Sequence, residues 1–235
     1  MKNALYTSLI ILLAACNSNE SGRVYTSNSK TKDLIKHNNQ AQFKPYQIAG
    51  QFTVTDTGYF NTGIGDGVYA VLERNHKFID TISLFYNVKS ISPNRFLYLT
   101  VEGYGQAKRE DSNPKYKKSI YGSEKSYVIL SGEKKTRISD INREFDDYFS
   151  SPQVINNKIY FWAIKKLDSS GRIQVSAAQF DPNSNSTENH YLMNDILETD
   201  DGGYYPPPIL KKDTICFVFS KKKQWKFSPS FNLYK

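Results

Sequence analysis

Short apolar runs recur along the second four-fifths of the chain, separated by polar turn signals. The clearest are Val68 to Leu72, Phe96 to Val101, Tyr127 to Leu130, Ile159 to Ile164, Ile173 to Phe180 and Ile215 to Phe219. Each is rich in aromatic and β-branched residues and too short for an ordinary helix, so each reads as a strand. Several are apolar at successive rather than alternate positions, which implies strands covered on both faces. One stretch breaks the rhythm: Ile138, Ile141, Phe145 and Tyr148 fall at helical spacing. With Ser139 or Asp140 as cap, they predict a short helix over 140–149.

An internal repeat underlies the strands. A Ser-Pro or Pro-Pro step precedes a polar turn and a buried strand at Ser92-Pro93, Ser151-Pro152 and Pro206-Pro207-Pro208. The buried strands begin roughly 60 residues apart. Hairpin-like pairs lie between them, Tyr69–Leu72 with Phe78–Ile82 and Tyr127–Leu130 with Arg137–Ile141, and Asp181 to Thr187 supplies a third polar turn. The segment Val88 to Leu99, a strand ending in Ser-Pro that turns into a buried aromatic strand, resembles the inner hairpin of bacterial β-propeller blades. That resemblance implies an all-β fold of repeated antiparallel sheets, about four short blades packed face to face. Ile48 to Val54 would complete the sheet begun by Trp225 to Tyr234. A β-sandwich is the alternative, because it too has many short strands between turns.

The first fifteen residues hold one charge, Lys2, then an apolar run from Leu9 to Ala15, the layout of a secretory signal peptide. The run is shorter than the about 20 apolar residues of a membrane span. Leu13-Ala14-Ala15-Cys16 resembles the lipobox of bacterial lipoproteins. The resemblance implies cleavage before Cys16 and acylation of its sulfur, with the lipid bilayer as a partner. Two or three acyl chains give stable anchoring at about 0.8 kcal/mol per buried methylene. In a Gram-negative cell Asn17, standing where a retention signal would place aspartate, implies the outer membrane. Residues 16–45 are rich in Asn, Ser, Lys and Gln and read as a flexible tether with a reach on the order of 30 Å. Residues 46–235 then form a single all-β domain, large enough for a sizeable core.

Charge changes this picture little. The net charge is +8, and +7 once Lys2 leaves with the leader, but the lysines are dispersed in short groups such as Lys134-Lys135 and Lys221-Lys222-Lys223. Dispersed lysines read as solvated turns, and export argues against nucleic acid as a partner. With Cys16 acylated, Cys216 stands alone in an apolar run; it reads as a small hydrophobe, a catalytic thiol being the other reading. No disulfide framework and no CxxC metal site follow from two such cysteines.

Catalytic motifs are sparse. The chain has no GxSxG elbow and no HExxH zinc motif. His37, His76 and His190 lie in the tether, in a turn and beside a turn, without metal-ligand spacing. Asp181 to Asn185 alternates oxygen ligands like a calcium loop but lacks the glycine at the sixth place and the glutamate at the twelfth, and reads as a polar turn. Gly63 to Gly67 leads into a strand and lacks a phosphate-loop lysine. No cofactor and no metal are expected.

Two acidic connectors hold the candidate binding residues: Asp146 and Asp147 in one, Asp200, Asp201, Tyr204 and Tyr205 in the other. If the repeat holds, both join one unit to the next and share a face. They read as solvated connectors, as a surface recognising a basic protein or a sugar, or as paired carboxylates for glycan hydrolysis. The function expected is a non-enzymatic protein-binding lipoprotein of the cell envelope, an immunity protein neutralising a toxin there being one form of it. A carbohydrate-binding surface lipoprotein and a glycan hydrolase are the alternatives.

Overall fold

The computed structural model describes residues 46–49, 52–61, 66–106, 119–147, 149–196 and 205–234. The leader, the tether with Cys16, and Tyr148, Asp200, Asp201 and Tyr204 lie outside the described residues.

The protein is all-β, and its strands fall into four antiparallel meanders in chain order. The first comprises β1 (Tyr46–Ala49), β2 (Phe52–Asn61), β3 (Asp66–Arg74) and β4 (Lys77–Ser83). The second comprises β5 (Lys89–Ser92), β6 (Arg95–Gln106), β7 (Ser119–Ser131) and β8 (Lys134–Arg137), followed by one helical turn, α1 (Ile138–Ile141). The third runs through β9 (Gln153–Ile155), β10 (Lys158–Lys166), β11 (Arg172–Asp181) and β12 (Ser186–Ile196). The fourth has β13 (Ile209–Lys211), β14 (Thr214–Ser220) and β15 (Lys223–Phe227). The first two meanders join through Ile82 opposite Thr100 and through a parallel pairing of Tyr59–Asn61 with Ser119–Tyr121, giving an eight-stranded sheet that is not a barrel.

The doubly apolar runs are covered on both faces because successive meanders stack. Phe52, Val54 and Leu72 of the first meander pack on Phe96, Tyr98, Val128 and Leu130 of the second. The opposite face of β6 and β7, with Leu97, Leu99, Tyr127 and Ile129, meets Ile159, Phe161, Ala163 and Phe180 of the third. The far face of β10 and β11, with Tyr160, Trp162, Ile164 and Val175, meets Ile215, Phe217, Phe227 and Phe231. Strand alternation therefore sends neighbours in one run, such as Phe161 and Trp162, to different interfaces. Burying each such side chain contributes about 1.5–3 kcal/mol. Among the described residues, no core cluster joins the fourth meander to the first.

Turn chemistry fixes the hairpin registers. Asn75 and His76 close β3 to β4, and Asn156 and Asn157 close β9 to β10, each pair with φ of 50° and 62°. Two consecutive left-handed residues match the right-handed twist of the flanking strands, and asparagine tolerates that region better than most residues.

Four expectations need correction. The helix is shorter and earlier than 140–149. Asn142 is already extended, its side-chain oxygen takes the Glu144 N–H at 2.9 Å, and Phe145 leaves the helix to bridge Ala163. Neither Ser139 nor Asp140 caps the turn, whose cap position is Arg137. The segment Ile48–Val54 belongs to the first meander, where β2 pairs β1 and β3, while β15 is followed by its own bridge from Phe227 to Leu233. The Ser-Pro steps are not equivalent: Pro93 sits in the turn between β5 and β6, whereas Pro152 and Pro208 precede β9 and β13. What recurs is a short strand, a turn and a long buried strand.

Candidate functional site

β8 is short and cationic, and it pairs with β7 so that Arg137 opposes Val128 and Lys135 opposes Leu130. Lys135 and Arg137, two positions apart, point to one face. The register of β6 against β7 slips between Leu99 and Val101, the kind of bulge that re-aims neighbouring side chains. Together with β4 and α1, these strands border an open groove of about 360 Å³. Its walls carry three cations, Lys125, Lys135 and Arg137, and three carboxylates, Asp80, Glu102 and Asp140; Thr100, Ser126 and Val128 also line it.

The charges are unequally committed. Lys135 lies 2.9 Å from Asp80 and donates to the Ile79 carbonyl at 2.7 Å. Asp80 also accepts the Tyr98 hydroxyl at 3.0 Å, and burial beside that carboxylate holds the phenol well above its ordinary range. Lys125 pairs with Glu102. Among the described residues Arg137 and Asp140 make no side-chain hydrogen bond or salt bridge, and Arg137 acts at longer range on the Asp147 carboxyl.

Behind the groove lies a second polar cluster, built from the connectors before β5 and before β9. The Tyr127 N–H donates to Asp147 Oδ1 at 3.1 Å. Burial nevertheless pushes the Asp147 carboxyl up to about 6; the Tyr127 bond and Arg137 oppose the rise, and Asp146 adds to it. The Tyr127 hydroxyl is 3.2 Å from Ser151 Oγ, and the Tyr86 ring stands edge-on to Tyr127 with centroids 4.8 Å apart. Tyr86 donates to the Pro152 carbonyl at 2.6 Å. The Lys89 ammonium lies 5.0 Å from the Tyr86 centroid and donates to Gln153 Oε1. Burial pushes Lys89 down to about 8, and it has no carboxylate partner among the described residues.

Shifted lysine and aspartate groups in one region are a recognised mark of reactive sites. Here the hydrogen bonds run to structural partners: Asp147 accepts from backbone, and Lys89 bonds an amide rather than the Ser151 hydroxyl. The cluster holds two connectors against the sheets.

The predicted connector residues take different places. The Asp146 carbonyl accepts the N–H groups of Phe149 and Ser150. Tyr205 is 1% exposed: its ring lies against Trp162 and Phe219, and its hydroxyl donates to Asp195 at 3.0 Å. Its ring is a core group rather than a surface for a sugar or a cation. A parallel backbone bridge joins Ser150 to Tyr205, both buried, while Asp200, Asp201 and Tyr204 lie outside the described residues. In the Asp181 turn, the carboxylate takes the Asn183 N–H at 2.8 Å and Asn183 takes Arg95 at 2.7 Å, so its oxygens serve local partners. His190 bonds Glu188 at 2.9 Å, Cys216 is buried, and no group of three potential metal ligands forms among the described residues. Among those residues, no helix is long and apolar enough to cross a membrane.

Lys125, Lys135, Arg137, Asp80 and Asp140 were not singled out from sequence as a site. The signal available was the two-residue spacing of Lys135 and Arg137; the partners come from strands whose pairing the sequence leaves open. No family model, curated protein or solved structure matches the chain.

Proposed function

We propose that the chain is a lipid-anchored protein of the cell envelope whose all-β domain binds a protein partner without catalysing a reaction. The observation that carries this reading is the groove beside β8. Three cations and three carboxylates border an open space of about 360 Å³, with Arg137 and Asp140 free of direct hydrogen bonds and salt bridges among the described residues. Mixed fixed charge suits a charged protein segment better than a neutral sugar, because complementary charge sets orientation and rejects wrong partners. An envelope toxin neutralised by this protein is the partner class in keeping with an exported, anchored binding domain. The four meanders are read as propeller-like blades, a reading supported by their chain-order stacking and by the recurring short strand, turn and buried strand.

The test is capture from envelope extracts and culture supernatant by the full chain and by its Arg137→Glu variant. The reading expects one stoichiometric protein retained by the parent and lost from the variant. Retention by both would remove the groove from the account, and glycans quenching tryptophan fluorescence with no protein captured would favour the carbohydrate alternative. The anchor is tested separately by mass spectrometry of the mature N-terminus, where an acylated Cys16 is expected. An unmodified mature N-terminus elsewhere would refute it.

A further inference from the structure

Basic residues that are dispersed along the sequence are gathered by the topology. Arg74 at the β3–β4 turn lies 3.9 Å from Glu133 at the β7–β8 turn, where the Gly132 N–H donates to the Asn94 carbonyl of the β5–β6 turn at 3.1 Å. Arg95, closing that turn, reaches Asn183 of the β11–β12 turn at 2.7 Å, and Lys158 of the β9–β10 turn lies 3.6 Å from Asp181. The β13–β14 turn joins the same end: Phe227, opposite Ile215, stacks on Phe231, whose ring is 5.5 Å from Tyr160. These turns also bring Lys77, Lys134, Lys211 and Lys212, all exposed, and one further carboxylate, Asp213. With their closing strand pairs, the turns thus hold seven cations against three carboxylates. Two large apolar side chains stand among the charges, Phe78 at 64% exposed beside Lys77 and Leu210 at 45% exposed beside Lys211.

We propose that this end of the domain docks on an anionic lipid surface, its lysines meeting the phosphates while Phe78 and Leu210 enter the headgroup layer. Charge complementarity carries the choice of occupant: basic side chains beside exposed apolar ones are the combination that holds a peripheral surface at a charged bilayer. The cations sit on separate turn tips of all four meanders rather than around a concavity, which suits a broad, laterally mobile array of anions better than one fixed acidic segment. Arg74 and Lys77 stand directly opposite across the β3–β4 ladder. Like charges so placed cost stability, and a layer of anions relieves that cost. The proposal rests on the envelope reading only for the nearness of a membrane.

The test combines sedimentation and amide hydrogen exchange of the full chain with vesicles of phosphatidylglycerol and phosphatidylcholine in equal parts. The chain should sediment with them, and the turns at 75–78 and 211–213 should gain protection that is absent on phosphatidylcholine alone and lost at high salt, which screens the attraction. A basic residue near an anionic surface is worth about fivefold in binding, so Lys77→Glu with Lys211→Glu should weaken docking by more than about tenfold and abolish the protection, with the circular dichroism unchanged. Sedimentation reports attachment and exchange at the turns reports docking, so failure of the anchor at Cys16 and failure of this face are read separately. A chain left in the supernatant, turns that exchange as in buffer on a sedimenting chain, or equal protection on phosphatidylcholine would each overturn the proposal. Equal protection by soluble polyglutamate would overturn it in favour of an acidic protein surface.

Discussion

Ser150 and Tyr205 meet in a parallel backbone bridge that joins the connector before β9 to the connector before β13. The Tyr205 N–H donates to the Phe149 carbonyl at 3.0 Å, and Ser150 Oγ accepts the Trp162 N–H at 2.9 Å. The Trp162 indole in turn donates to the Pro206 carbonyl at 2.7 Å. Two connectors far apart in the chain are thus fixed to the strand that forms the centre of the third meander.

Ser150→Ala should destabilise the protein by about 1–3 kcal/mol, since it leaves the buried Trp162 N–H without its acceptor. The check is the denaturant midpoint at constant slope. A midpoint equal to the parent's would show that another acceptor takes that proton.

The Asp147 carboxyl should titrate near 6, raised by burial against the pull of the Tyr127 N–H. Between the ordinary aspartate range and about 6, the folded state holds a proton that the unfolded chain has released, so stability should fall as pH rises through that window. Asp147→Asn should flatten that slope. Chemical denaturation across pH is the measurement, and an unchanged slope in the variant would count against the assignment.

Lys89 should show the opposite linkage at alkaline pH. Its folded-state value near 8 lies below that of the unfolded lysine, so above 8 the unfolded chain binds the extra proton and stability should rise with pH until the unfolded lysine also deprotonates. Lys89→Met keeps the aliphatic stem and should abolish this rise. Isotope-edited resonance of the Lys89 ammonium group gives the titration directly, and a midpoint in the ordinary lysine range would refute it.

Glycines at two positions should respond unequally to substitution. A Cβ at Gly122 would stand 2.3 Å from the Glu102 carbonyl oxygen across the β6–β7 pairing, so Gly122→Ala should cost about 1–3 kcal/mol by forcing backbone apart. At Gly132, φ is +62° with nothing within 4 Å of a Cβ, so Gly132→Asn should change stability by only about 0.5 kcal/mol or less, asparagine accepting that conformation. Thermal or denaturant unfolding of the two variants distinguishes them, and equal losses would contradict the steric account.

The sequence carried the inner strands plainly and their neighbours poorly. Ile159 to Ile164 was legible because both faces of β10 are buried, so no polar position interrupts the run. β12 was not, since its first half is Ser, Thr, Glu, Asn and His at an exposed sheet edge, which in composition is indistinguishable from a turn. Phe145 fitted a helix by spacing, yet its bridge to Ala163 is a tertiary contact that no local pattern reveals. The connectors were legible as connectors, and in the first of them burial raises the Asp147 carboxyl. Tyr205 was placed at the surface by its polar neighbours, while its ring fills the interface between the third and fourth meanders. Nothing local marks Lys89 and Tyr86, because their partners are distant in the chain: Gln153 opens β9 and Pro152 immediately precedes it.

Amide hydrogen exchange on the full chain, alone and with the protein it captures, tests the binding reading most directly. Protection is expected at the strands bordering the groove, 99–102 and 125–128 with 134–140, and should vanish in Arg137→Glu. Protection confined to the other meanders, or a captured protein that leaves the groove exchanging as before, would contradict the account.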